Sequence, residues 1–95
     1  MLTNAQMMMH NIMEPNMVID TIEYRGEVFE RTHGSPFDRG AADSYYHRSE
    51  DPHYYPEGTY RGDRVESKDM SMAELRAYFA GYEYNEKFGD KKDWG

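Results

Sequence analysis

Four histidines (His10, His33, His47 and His53) and the adjacent acids Glu50 and Asp51 are the residue types here that could do chemistry. A metal centre needs two or three imidazoles with carboxylates at set spacing. His47, Asp51 and His53 come nearest, but the two imidazoles do not share a helical face and Pro52 stands between them. The chain has no cysteine, so thiolate ligands and disulfides are excluded. No serine sits with histidine and an acid in a nucleophile context. Glu50-Asp51 lies in polar sequence, which offers nothing to raise one carboxyl's pKa for acid–base work. No glycine-rich loop leads from a strand into a helix. The expectation is a protein without catalysis, metal or cofactor.

Recognition chemistry is better represented. Residues 25–64 carry six arginines against eight acids, and every lysine lies beyond them. Arginine suits bidentate binding of carboxylate or phosphate and stacking on rings. Five of the nine tyrosines lie in the same stretch, and exposed tyrosine beside arginine is a common interface composition. The candidate partner surface is therefore Arg39, Arg48, His53, Tyr54, Tyr55, Tyr60, Arg61 and Arg64. The competing reading is that the arginines pair internally with neighbouring acids and tyrosines. Tyr45, Tyr54, Tyr78 and Tyr82 fit a core, whereas Tyr46, Tyr55, Tyr60 and Tyr84 fall off the apolar faces.

Ninety-five residues allow one small domain. Leu, Ile, Val and Phe number only 12, so the core must draw on tyrosine, which buries a large ring and keeps its hydroxyl wet. A net charge of −7 disfavours nonspecific attraction to phosphate backbones and favours a basic partner surface. No segment approaches the length of an apolar membrane span, and no secretory leader is recognisable. A soluble cytoplasmic protein, with no membrane partner, is expected.

These residues need elements to position them. The methionine-rich residues 1–16 form a flexible or short-helical tail, and residues 17–95 form the domain. Val18–Tyr24 and Glu27–Thr32 flank Arg25-Gly26, the turn of a two-residue β-hairpin. That register pairs Ile22 with Phe29, keeps Tyr24 on their face, and sets Asp20 opposite Arg31. Arginine is a poor first residue for such a turn, which leaves a longer loop open. Ser35 caps a helix from Pro36 to about Arg48, with Phe37, Ala41, Ser44 and Tyr45 on one face. Proline and glycine between residues 49 and 69 exclude regular structure and predict a long, ordered, packed loop. Ser71 to Glu74 is a capping box, opening a helix to about Phe88 with Gly89 as its cap. Leu75, Tyr78, Phe79, Tyr82 and Glu86 repeat at helical spacing. Small residues at Gly40-Ala41 and at Ala77 with Gly81 predict a close antiparallel helix pair. Trp94 is expected to fold back onto the domain.

The stretch from Ser35 to Tyr82 resembles the ribosome modulation factor family. Arg39-Gly40 is followed by His47-Arg48-Ser49, where that family has Gly-Arg-Ser, then by Pro52 and Tyr54. Tyr78-x-x-Gly81-Tyr82 stands where it has Trp-x-x-Gly-Trp. Ser35-Pro36-Phe37-Asp38-Arg39-Gly40 and the ending Gly89-Asp90-Lys91-Lys92-Asp93-Trp94-Gly95 resemble short tailed-phage proteins. The first resemblance implies two helices joined by a loop, binding to the small ribosomal subunit, and Arg39, Arg48 and Tyr54 as contacts. The family's surface is strongly basic and this chain is acidic.

The resulting expectation is an α+β fold, with an N-terminal hairpin packed on two antiparallel helices joined by a long ordered loop. Its expected role is that of a non-enzymatic, phage-type accessory protein that binds a host macromolecule, a protein first. A ribosome or RNA binder and a self-associating homo-oligomer are the alternatives.

Overall fold

The computed structural model describes residues 20–93. The expectations for the methionine-rich tail and for Trp94 lie outside the described residues. The α+β arrangement is present: an antiparallel hairpin, two helices packed on each other, and a long connection between them.

The hairpin consists of β1 (Thr21–Tyr24) and β2 (Glu27–Glu30), with Ile22 opposite Phe29 and Tyr24 opposite Glu27. The two-residue turn holds despite its arginine, because Arg25 takes φ 55° and Gly26 φ 76°. Asp20 and Arg31 extend the ladder through a 2.7 Å backbone bond and a 3.2 Å ion pair. One face of the hairpin carries Tyr24 and Phe29 into a cluster with Phe37, flanked by Ile22, Ala77, Ala80 and Tyr84.

Helix α1 (Pro36–Tyr45) begins as expected at Ser35, whose Oγ accepts from Asp38 N and donates to Glu30 O at 3.2 Å. One hydroxyl thus caps the helix and fastens it to the hairpin. The helix stops three residues short of Arg48. Tyr46 is its C-cap, and His47 turns left-handed at φ 63°.

Residues 49–69 do contain regular structure, contrary to the expectation from proline and glycine content. His53–Tyr54 (β3) pairs antiparallel with Val65–Glu66 (β4), and Ser67–Asp69 forms a 3₁₀ turn. The breakers cluster in the excursion between the two strands, so a two-residue ladder survives at its neck. Helix α2 (Met72–Phe88) has the capping box, with both Ser71–Glu74 bonds made, and ends at Gly89.

The helices cross where small residues were expected to allow it. A Cβ built on Gly40 would lie 2.0 Å from Tyr78 O, and one on Gly81 would lie 2.0 Å from Phe37 O. Their sense differs from the antiparallel expectation. The Pro36 end of α1 lies near Ala73 and Ala77, while Ser44 bonds Asn85 and Glu86, so both helices run the same way across the contact. The connection of residues 46–71 is long enough to return the chain for this crossover. After Gly89 the chain lies along the end of α1: Lys92 N donates to Tyr45 O at 2.7 Å, and Lys91 Nζ to Ser44 O at 3.1 Å. A cation there complements the helix C-terminus.

Candidate binding site

A buried polar network lies beneath the long connection. Tyr78, fully buried on α2, donates its hydroxyl to Asp43 and accepts from Asp51 N at 2.8 Å. Asp43 also receives Arg48 Nη1 at 3.2 Å. His53 sits 3.8 Å from Asp43, with Nδ1 bonded to Asp51 O at 2.6 Å. Arg39 Nε donates to His53 Nε2 at 3.0 Å. That donor fixes the tautomer, since Nε2 must accept and the ring proton therefore sits on Nδ1. Burial pushes His53 below the usual histidine range. Burial, and then the Asp43 bond, push Tyr78 up, so its hydroxyl keeps its proton.

Specific hydrogen bonds position the connection. Tyr55 N donates to Gly34 O at 2.8 Å. Gly34 has φ 94°, and an added Cβ would strike Tyr55 O, so only glycine lets the loop approach here. Arg64 clamps the neck through Asp51 at 2.7 Å.

Six of the eight candidate residues meet at one place. Arg39, Arg48, His53, Tyr55, Tyr60 and Arg64 line a half-open cavity of about 360 Å³. Arg39, His53 and Tyr55 are buried in its floor, Arg64 is half-buried, and Arg48 and Tyr60 are exposed at its rim. Arg39 lies 5.5 Å from the Tyr55 ring centre and 5.4 Å from that of Tyr60. Tyr54 and Arg61 fall elsewhere: Tyr54 lines a groove beside the hairpin, and Arg61 lies exposed at the far loop. The internal-pairing reading holds for Arg48 and Arg64. Asp43 and Tyr78, which organise the cavity floor, were missed as site residues.

The tyrosines divide differently from the expectation. Tyr46 and Tyr60 are exposed, as assigned, but Tyr55 is buried and Tyr84 packs edge-on to Tyr24 at 5.4 Å. Phe79, placed on the apolar face of the last helix, is 43 % exposed.

The groove, of about 490 Å³, is lined by four consecutive β2 residues, Glu27 to Glu30, and by Tyr54, Pro56, Ala73 and Ala77. Four consecutive residues cannot share one face of a strand, so the groove follows its edge. The backbone bond between residues 20 and 31 sets the alternation of the ladder, which leaves the N–H and C=O of Val28 directed away from β1. Val28 is 66 % exposed. Glu27, Glu30 and Glu74 line the groove without any lysine or arginine.

Among the described residues no group of histidines and acids is arranged to hold a metal ion, and no helix is long and apolar enough to cross a membrane. No family model matches the chain, and no curated protein or solved structure matches it either.

Proposed function

We propose that this chain is a non-catalytic accessory module, of the kind its tailed-phage resemblance implies, that binds a host protein by adding a strand to the edge of β2. The observation that carries this reading is the groove along that edge. Main-chain groups of Val28 face it, apolar walls from Tyr54, Pro56 and Ala77 flank it, and Glu30 and Glu74 give it negative charge, Glu27 being paired with Arg76 at 3.0 Å. Edge addition derives affinity from main-chain bonds and specificity from side-chain pockets. The occupant is an extended segment carrying lysine or arginine, steered by the acidic groove and the net charge of −7.

The alternative of ribosome or RNA binding draws support from His47, whose left-handed φ of 63° suits the glycine that the modulation-factor family has there. Against it, Arg48 is engaged by Asp43, and Arg64 by Asp51 and Glu66. Few guanidiniums are left to meet phosphate.

Val28→Pro tests the edge reading. Proline removes the outward N–H and leaves the ladder intact, since that N–H does not bond β1. The partner recovered by wild-type protein from bacterial lysate, with ribonuclease present, is expected to bind the variant at least about tenfold more weakly. Equal binding of Val28→Pro would remove the groove from the interface. Loss of the partner on ribonuclease treatment would favour the RNA reading.

A further inference from the structure

The cavity floored by Arg39 holds one guanidinium that lacks a carboxylate at its side among the described residues. Three guanidiniums line it (Arg39, Arg48 and Arg64), and only two carboxylates, Asp43 and Asp51, line it with them. Those two carboxylates are taken: Asp43 lies 3.2 Å from Arg48, and Asp51 2.7 Å from Arg64. Glu66, which also reaches Arg64, does not line the cavity. Arg39 has no carboxylate within 4.0 Å among the described residues, although only 5 % of it is exposed.

A buried cation without a counter-charge is unfavourable unless something supplies one. The partners it does have are neutral. Nε donates to the neutral His53 ring, Nη1 makes a long 3.4 Å contact with Thr59, and two tyrosine rings flank the guanidinium. Ring faces and an imidazole soften the burial of the charge but do not neutralise it. Beyond Nε, the long Nη1–Thr59 contact is the weakest bond of the guanidinium and the one a ligand could replace.

We infer that this cavity binds one carboxylate, held on the fork of Arg39 between Tyr55 and Tyr60. Its planar geometry matches a guanidinium bidentately. Its single charge pairs with Arg39, among the described residues the one lining guanidinium without a carboxylate beside it. The volume is that of a small-ligand pocket rather than of a macromolecular groove. The carboxylate comes either from a free small acid or from the terminus or acidic side chain of another polypeptide. This site shares Tyr55 with the groove along β2 but centres on Arg39, which does not line that groove, so either can fail without the other.

The test is nuclear magnetic resonance of the full chain, titrated with sodium acetate at constant ionic strength against sodium chloride. Acetate is expected to shift the Arg39 Nε–H and the Tyr60 amide saturably, and to raise the melting temperature of the wild-type protein above that in chloride. Arg39→Gln, which keeps a donor for His53, is expected to abolish the Tyr60 shift. If that variant does not fold, the wild-type melting comparison decides. A short peptide with a free C-terminus, compared with its amide, separates the sources: saturation at lower concentration than acetate assigns a polypeptide carboxylate, and no advantage assigns a free acid. Unsaturable shifts spread over the surface, an equal response to chloride, or tighter binding of inorganic phosphate would overturn the carboxylate site.

Discussion

Arg39 Nε lies 3.0 Å from His53 Nε2, inside the protein, so the charge of one residue dictates the neutrality of the other. An imidazolium has no lone pair to accept that bond, and it would place two cations together.

Stability should therefore fall on mild acidification. The folded pKa of His53 is lowered below the ordinary 6.5, with burial as the main cause. The unfolded chain then binds the extra proton first, so this contribution is fully present above 6.5 and is lost as pH falls below it. Glu86, held below 4.5 chiefly by Lys91 and then by Ser44, loses its contribution only in stronger acid. Urea melts between about pH 5 and about pH 8 should show a midpoint rising with pH, and His53→Asn should flatten that slope. An unchanged slope in the variant would assign the effect to another group.

Adding a methyl group at either glycine of the helix crossing should be severe. Each Cβ would meet backbone, not a movable side chain, at 2.0 Å. Gly40→Ala and Gly81→Ala are each expected to cost about 3 kcal/mol or more by urea denaturation. The double variant should cost less than the sum, because both force apart the same contact. A loss under about 1 kcal/mol would mean that the helices separate easily.

Tyr78→Phe deletes one oxygen that both donates to Asp43 and accepts from Asp51 N. Asp51 N then loses its acceptor and Asp43 keeps Arg48 but loses a buried donor, at a cost of about 1–3 kcal/mol. Tyr54→Phe removes a hydroxyl that, among the described residues, bonds Glu74, on a half-buried ring, and should cost less than about 1 kcal/mol. Chemical denaturation of the pair checks the ordering.

Arg25→Asn should stabilise the chain. Residue 25 occupies φ 55°, which asparagine tolerates better than arginine. The Arg25–Glu83 contact that is lost is 3.4 Å and exposed, so it offsets little. A gain of roughly 0.5 kcal/mol is expected in the same denaturation assay.

Local features were legible in the sequence. Gly26 with the Ile22/Phe29 pattern located the hairpin and its register, and Ser35 and Ser71 marked both helix starts. The glycines at positions 40 and 81 signalled the close crossing. What sequence could not give was long-range and polar. Asp43 and Tyr78 are 35 residues apart, and Arg39 and His53 are 14 apart, with no periodicity to link them. Charged residue types default to surface, so a buried Arg39–His53–Asp43–Tyr78 chain has no local signature. The sense of the helices was missed for a related reason: small residues show that backbones approach, not which way they run. Six site candidates did converge, because arginines and aromatics set among prolines mark a shaped loop even when its contacts are hidden.

The fastening of the connection at Asp51, Tyr55 and Arg64 divides it into parts with different tolerance for change. The neck is held by bonds to Tyr78, Gly34 and Asp51. The bend at Gly62-Asp63 is exposed. Extra residues inserted there would lengthen a loop whose ends are already pinned, and closure entropy grows only slowly with length. The bend is thus a permissive port, where a reporter could be spliced into the chain while the cavity wall and the helix crossing keep their shape.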